Sequence, residues 1–351
     1  MTIHLYSLFF FFIICSYIFS KKFLDNPEVI KVAIYISILL ILISGFRWNV
    51  GGDWDSYYQI SLDSTFKDLD FKWSFIYRFI NILSGKLLLG IYGINLIVTA
   101  LFFYSLYKIA KILNFDFFLL VIISYSLVYF TGIMGFVRQS VALSFLILFT
   151  SYLAKGKYKT SAIYYFCALA THSSVIVFAP VLIYRFRNYK YSILSILITL
   201  LVFIYFNMPI IISNIHQFLN VKDMVSAGIN LRLIPIVLCC FIFLLFNKKI
   251  LTKSKDLNFF IIYNVIIILI INLLYLTAPV FSAVVDRFNF FFFVFQIIII
   301  GRFFSKIIKN NSNSYLKNAS YVSVFYFTIF YIWIVFGHYA VFWQQYNFLN
   351  E

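Results

Sequence analysis

Long apolar runs, each ended by a short polar cluster, recur along the whole chain. A helix crossing a hydrocarbon core of ~30 Å needs about 20 such residues. The runs are continuously apolar rather than alternating, which argues against a β-barrel. They predict helices over 5–20, 30–46, 90–107, 115–131, 137–154, 191–207, 231–247, 257–277, 287–304 and 319–336. Residues 7–19 resemble a signal-peptide core. No basic residue precedes them and no convincing small-residue cleavage site follows, so they are read as the first membrane helix.

Two segments depart from the simple pattern. Residues 73–89 place Arg78 and Lys86 among aromatics and read as an interfacial helix. Residues 160–184 are apolar but interrupted by Thr171-His172-Ser173-Ser174.

Composition fits a membrane protein: 63% hydrophobic and 11% charged over 351 residues. No soluble domain requires that balance, and neither a solenoid repeat nor a separate soluble domain is visible. The net charge of +16 would suggest nucleic acid in a soluble chain. Here the positive-inside bias accounts for it, and no nucleic-acid partner is expected. Of the 28 Lys and Arg, 19 fall in one set of loops, in the clusters 21–31, 108–111, 155–159, 185–190, 248–255 and 302–317. That side is assigned to the cytoplasm. The other side keeps Arg47, Arg138, Arg232 and Arg287.

This assignment puts both ends of 160–184 on one side. The segment must then be a re-entrant hairpin or two short spans, with His172 at its tip. Polar, irregular backbone at that depth needs protein or a water-filled cavity around it. Two long external loops follow, 47–72 and 208–230. With them on the outer face lie the helix start at Arg138-Gln139, Asp286-Arg287 and the tail from His338.

Several residues could carry chemistry. Residues 46–58 follow a greasy run directly, so Arg47, Asp53 and Asp55 sit at a membrane boundary beside Trp48, Trp54, Tyr57 and Tyr58. Either aspartate could accept a proton from a sugar hydroxyl or hold Arg47 in place. Arg138 opens a helix, where free N–H groups and the dipole already favour anions. Arg287 follows Asp286 in the same layer. Such arginines suit a diphosphate clamp, because the guanidinium fork matches phosphate oxygens; a boundary arginine can also simply snorkel or pair with an aspartate. His172 is the one histidine within an apolar segment; it could be a general base or, with Ser173 and Ser174, hydrogen-bond a neighbouring helix. His4, His216 and His338 read as surface or interfacial residues. Cys15, Cys167, Cys239 and Cys240 lie in apolar runs without metal-ligand spacing, and two nearby carboxylates are weak evidence for a metal, so none is expected. Phosphate-loop, Gly-x-Ser-x-Gly, His-Glu-x-x-His and Cys-x-x-Cys signatures are absent.

Three segments, in this order, resemble the EpsG family of Wzy-type polysaccharide polymerases. They are Gly45-Phe-Arg-Trp-Asn-Val-Gly-Gly-Asp-Trp-Asp-Ser-Tyr-Tyr58, Phe136-Val-Arg-Gln-Ser-Val-Ala142 and Leu169-Ala-Thr-His-Ser-Ser174, with Asp286-Arg287-Phe288 a weaker fourth. Gly52 stands where that family more often has Thr or Ser. The resemblance implies a single all-α polytopic domain, GT-C-like, of about ten to twelve transmembrane helices in a bacterial inner membrane. It implies a metal-independent, cofactor-free glycosyltransferase working on the periplasmic or external side, in O-antigen, capsule or exopolysaccharide synthesis. A growing glycan would pass from undecaprenyl diphosphate to the terminal sugar of a new lipid-linked repeat unit. Partners would be those lipid-linked glycans, membrane lipids, and a chain-length regulator and flippase. Arg47, Arg138 and Arg287 would bind diphosphate, His172 or Asp53 would be catalytic, and Gln139, Asp55, Asp286, Ser173 and Tyr57 would support them. The rivals are an O-antigen ligase, a membrane O-acetyltransferase and, in another class, a lipid-linked oligosaccharide flippase.

Overall fold

The computed structural model describes residues 2–62, 74–186, 228–277, 282–308, 312–337, 340–344 and 347–348. The chain is an all-α polytopic membrane protein. Seven helices are long and apolar enough to cross a bilayer: Leu5–Phe23, Asn26–Gly45, Gly90–Leu113, Val137–Ala154, Ile229–Ile250, Lys255–Leu276 and Ser314–Phe336. The pair Ser282–Phe291 and Phe293–Lys306, bent by 44°, makes an eighth crossing if counted as one span.

The expected ten to twelve spans are therefore not reached among the described residues. The 191–207 helix, most of the 208–230 loop, residues 63–73, His216 and His338 lie outside them. The 287–304 span instead begins at Ser282 and bends near Phe292. The 115–131 span is a shorter apolar helix, Phe117–Ile133, whose second half from Tyr125 is π-helical. All of its residues are buried, so it runs through the bundle centre, and a helix apolar on every side belongs there. The 73–89 segment forms the short helix Phe75–Lys86, packed on Gly90–Leu113.

A helical hairpin stands where a re-entrant hairpin or two short spans are expected. Tyr158–Thr171 rises, His172 breaks it with extended backbone (φ −152°, ψ 124°), and Ser173–Phe178 and Ala179–Phe186 return. The two ends meet: the Arg185 guanidinium carbon lies 3.2 Å from the Tyr158 ring centre. Arg185 also contacts the Asp256 carboxylate at 3.5 Å, and Tyr184 stacks on Phe259 at 3.7 Å. His172 is thereby carried to the opposite end of the bundle.

One ladder tops that end. Arg47–Trp48 pairs antiparallel with Asn347–Phe348, Arg47 opposite Phe348. The Gly51 N–H donates to the Phe342 carbonyl at 3.0 Å. The C-terminal segment thus clamps the 46–53 turn.

The opposite end is tied by Asp116. Its carboxylate accepts the N–H groups of Phe118 and Leu119, capping the central helix, and takes the hydroxyls of Tyr17 (3.0 Å) and Tyr315 (2.8 Å) and the Lys21 ammonium (2.9 Å). Three helices converge on one buried charge. Breaking such a pair leaves an uncompensated partner. Asp116→Ala is expected to cost about 3–5 kcal/mol, read as a lower thermal midpoint of the purified protein.

Candidate active site

The site is built where helix ends, the hairpin tip and the clamped turn meet. Asp53 precedes the short helix Trp54–Leu62; its carbonyl accepts the Tyr57 N–H at 3.1 Å, which places Asp53 at the helix cap. Gly51 makes the turn possible: its φ is +112°, and a Cβ there would fall 2.0 Å from the Met134 carbonyl oxygen. Arg138 is the second residue of Val137–Ala154 and Gln139 the third. Asp286 and Arg287 lie in the middle of Ser282–Phe291, not at a helix opening as expected, so Arg287 gains nothing from a helix N-terminus. Arg232 lies in the first turn of Ile229–Ile250.

These side chains enclose a cavity of about 260 Å³, lined by Asp53, Tyr57, Phe136, Arg138, Gln139, His172, Arg232, Ala283, Asp286, Arg287 and Phe290. Three guanidinium groups face two carboxylates. Arg232 and Asp286 form a side-on pair, with Nε donating to Oδ1 at 2.6 Å and Nη2 to Oδ2. The Arg138 guanidinium carbon is 6.0 Å from the Tyr57 ring centre, and that of Arg232 is 6.0 Å from Phe136. Burial raises the Asp53 carboxyl above the ordinary carboxylate range; Arg138 and Arg287 oppose the shift without cancelling it.

His172 carries a tautomer signal. Its Nδ1 accepts the Ser174 N–H at 3.3 Å, capping the return helix. A neutral imidazole that accepts at Nδ1 carries its proton on Nε2. His172 therefore offers a donor.

Seven of the residues singled out in the sequence line this one cavity: Asp53, Tyr57, Arg138, Gln139, His172, Asp286 and Arg287. Three do not. Arg47 is 1% exposed, donates to the Ser44 carbonyl at 3.1 Å and lies 5.7 Å from the Trp54 ring centre; it secures the turn beneath Asp53. Asp55 is exposed on the short helix, and Ser173 stands beside His172 without lining the cavity. Asp286 pairs with Arg232, which sequence reasoning left among the basic residues of that side. Arg232 had the same signal as Arg138, an arginine second in a predicted apolar helix.

A family profile described as the EpsG family matches residues 30–348. The chain belongs to the EpsG family. The matched region contains every cavity-lining residue. No curated protein and no solved structure matches this EpsG-family chain.

Gly51 and Gly52 offer a matched pair of variants. Gly51→Ala forces a side chain into a positive-φ, occupied position and is expected to cost about 1–3 kcal/mol. Gly52→Ala, whose Cβ would meet nothing nearer than 3.9 Å, is expected to be close to neutral. Thermal midpoints of the two purified variants check this.

Proposed function

We propose that this chain is a polysaccharide repeat-unit polymerase: it transfers a growing glycan from undecaprenyl diphosphate to the terminal sugar of a second lipid-linked unit. EpsG-family membership supports polysaccharide polymerisation. The observation that carries the finer reading is the single cavity holding Arg138, Arg232 and Arg287 with Asp53 and His172, at one end of a membrane bundle. Clustered guanidinium groups match a leaving group that gains charge as its bond breaks.

In this reading a sugar hydroxyl of the acceptor attacks the anomeric carbon of the donor. The carbon–oxygen bond to the diphosphate breaks, and the diphosphate departs with the electron pair. Arg138 and Arg287 receive its charge, so the step needs no metal ion. Asp53 takes the proton from the attacking hydroxyl, a role suited to a carboxyl whose pKa is raised toward working pH. His172 donates from Nε2 to a diphosphate or sugar oxygen, so the choice left open by sequence between it and Asp53 as base falls to Asp53. The clusters around Lys21, Lys111, Lys155 and Arg302 lie at the end opposite the cavity. Under the positive-inside bias that end is cytoplasmic, and the cavity faces the periplasm or exterior of a bacterial inner membrane.

In cells with normal protein levels, Arg138→Ala and Arg287→Ala are expected to abolish long polymer and leave single repeats attached. Arg138→Lys should remain impaired by about 10²-fold or more, because lysine keeps the charge and loses the fork. Long ladders persisting in both alanine strains would refute the clamp; loss of all attached repeats would indicate a ligase instead.

A reconstituted transfer assay separates the two proton roles. Asp53→Asn is expected to lose about 10²–10⁴-fold in rate. In the wild type the ionised carboxylate is the active form and its pKa is raised. Rate should therefore fall, as pH drops, at a higher pH than an ordinary aspartate would give. His172→Gln, which keeps a terminal N–H donor, is expected to retain most activity; a loss as deep as that of Asp53→Asn would make His172 the base.

A further inference from the structure

Six helix ends meet at the end of the bundle away from the charged cavity. Thr2–Phe23, Gly90–Leu113 and Phe293–Phe303 finish there, and Asn26–Gly45, Phe117–Ile133 and Ser312–Phe336 begin there. Between them lies a chamber of about 690 Å³, whose polar lining includes Lys21, Asn26, Lys111, Asn114 and Asp116. The ends of spanning helices mark the edge of the hydrocarbon, so the chamber lies at the depth of lipid phosphate. Asp116 is already occupied by Lys21 at 2.9 Å, two tyrosine hydroxyls and two backbone N–H groups. The Lys21 ammonium has three N–H donors and spends one on that carboxylate. Lys111 is exposed, stands 5.9 Å from the Tyr107 ring centre and makes no ion pair among the described residues. Arg302 adds charge from behind Phe115, its guanidinium carbon 5.7 Å from that ring centre and its Nε without a hydrogen-bond partner among the described residues. The acidic residues nearest in sequence, Asp25 and Glu28, do not line the chamber, and Glu28 takes the Lys31 ammonium at 2.7 Å.

One side of the chamber is apolar, with Val29, Ile30 and Leu316. Ile30 also starts a row, Ile34, Ile38 and Leu42, spaced by four residues and exposed throughout. Residues four apart share one helix face. An apolar track therefore runs from the chamber along a spanning helix into the bilayer. We propose that the chamber holds the phosphodiester head group of an anionic glycerophospholipid from the leaflet on that side. The phosphate lies between Lys21 and Lys111, and an acyl chain lies along the row from Ile30 to Leu42. Basic pockets between spanning helices at a membrane surface bind anionic head groups in this way. A soluble phosphate ester would use the lysines and gain nothing from the row. A zwitterionic lipid would use the row and gain little from the lysines. This lipid is not a reactant, and its site is at the far end of the bundle from the transfer cavity. The proposal therefore stands or falls independently of the polymerase reading.

Native mass spectrometry of the detergent-solubilised full-length protein tests this, with phosphatidylglycerol, phosphatidylcholine of the same acyl chains and glycerol 1-phosphate as probes. Phosphatidylglycerol is expected to bind at least about tenfold more tightly than phosphatidylcholine, because two lysines face its phosphate. Lys111→Gln changes an exposed position remote from the charged cavity. It should remove about fivefold of that preference, the worth of one near-surface lysine, and Lys111→Arg should keep it. Ile30→Ser/Ile34→Ser should weaken both phospholipids and leave their ratio unchanged. Lys155→Gln, at an exposed position of the same end outside the chamber, should leave the preference intact. Equal losses in Lys155→Gln and Lys111→Gln would indicate a diffuse basic surface and overturn the site, as would equal binding of the two phospholipids. Glycerol 1-phosphate binding as tightly as phosphatidylglycerol would give the chamber to a soluble phosphate ester and overturn the lipid assignment.

Discussion

Charge held inside an apolar bundle is the constraint on which the structure turns. A guanidinium removed from water costs several kcal/mol unless partners replace its hydration. Here Arg232 and Arg47, the two guanidiniums withdrawn from solvent, have different partners, whereas Arg138 and Arg287 keep exposed faces. Arg232 is satisfied side-on by Asp286, and Arg47 by the Ser44 carbonyl and the Trp54 face. Arg138 and Arg287 share a cavity with Asp53 and lie close enough to influence its ionisation. Asp53 lines the cavity and is at the same time an exposed residue. Its raised pKa records that burial outweighs the two cations. An incoming diphosphate would add negative charge where positive groups already converge, at a site built in advance of the ligand.

The scaffold meets this constraint by ending and breaking helices rather than by lining a straight span. Asp53 caps a short helix, Arg138 opens a long one, and His172 interrupts the hairpin. Non-helical backbone within a membrane protein is tolerated where protein or a cavity surrounds it. The loop ladder and the Gly51 contact to Phe342 then fix the Asp53 turn from above. At the far end the Asp116 cluster joins Tyr17, Lys21 and Tyr315, so the central helix is anchored away from the cavity. Rigidity at one end leaves the other free to be shaped by the site.

Much of this was legible in sequence because polar residues stand out against apolar runs. Arg138, Asp53 and His172 each interrupt or bound such a run, and loop charge required a re-entrant hairpin or two short spans around His172, where two short helices with meeting ends are found. What failed shares one cause. Adjacency in sequence does not fix where a long side chain points. Arg47, six residues before Asp53, turns into the packing below the turn, whereas Arg232, far along the chain, reaches the cavity through its helix start. Asp55 lies two residues from Asp53 and, exposed like it, does not line the cavity. The central Phe117–Ile133 helix joins the Asp116 end to the Arg138 end, and it shows no polar stripe because its neighbours bury it on every side.

The His172 geometry shows how one local bond can decide a role. Nothing in the sequence separates a histidine that takes a proton from one that gives a hydrogen bond. The hairpin break does, because the helix starting at Ser173 has unsatisfied N–H groups and one of them is met by Nδ1. The Ser174 N–H thus occupies the ring's Nδ1, while His172 lines the cavity. The mechanism proposed above therefore gives the base role to Asp53, since Asp286 is occupied by Arg232. In the proposed mechanism two carboxylates and one imidazole, similar on the page of a sequence, would be sorted into base, brace and donor by which neighbour each already holds.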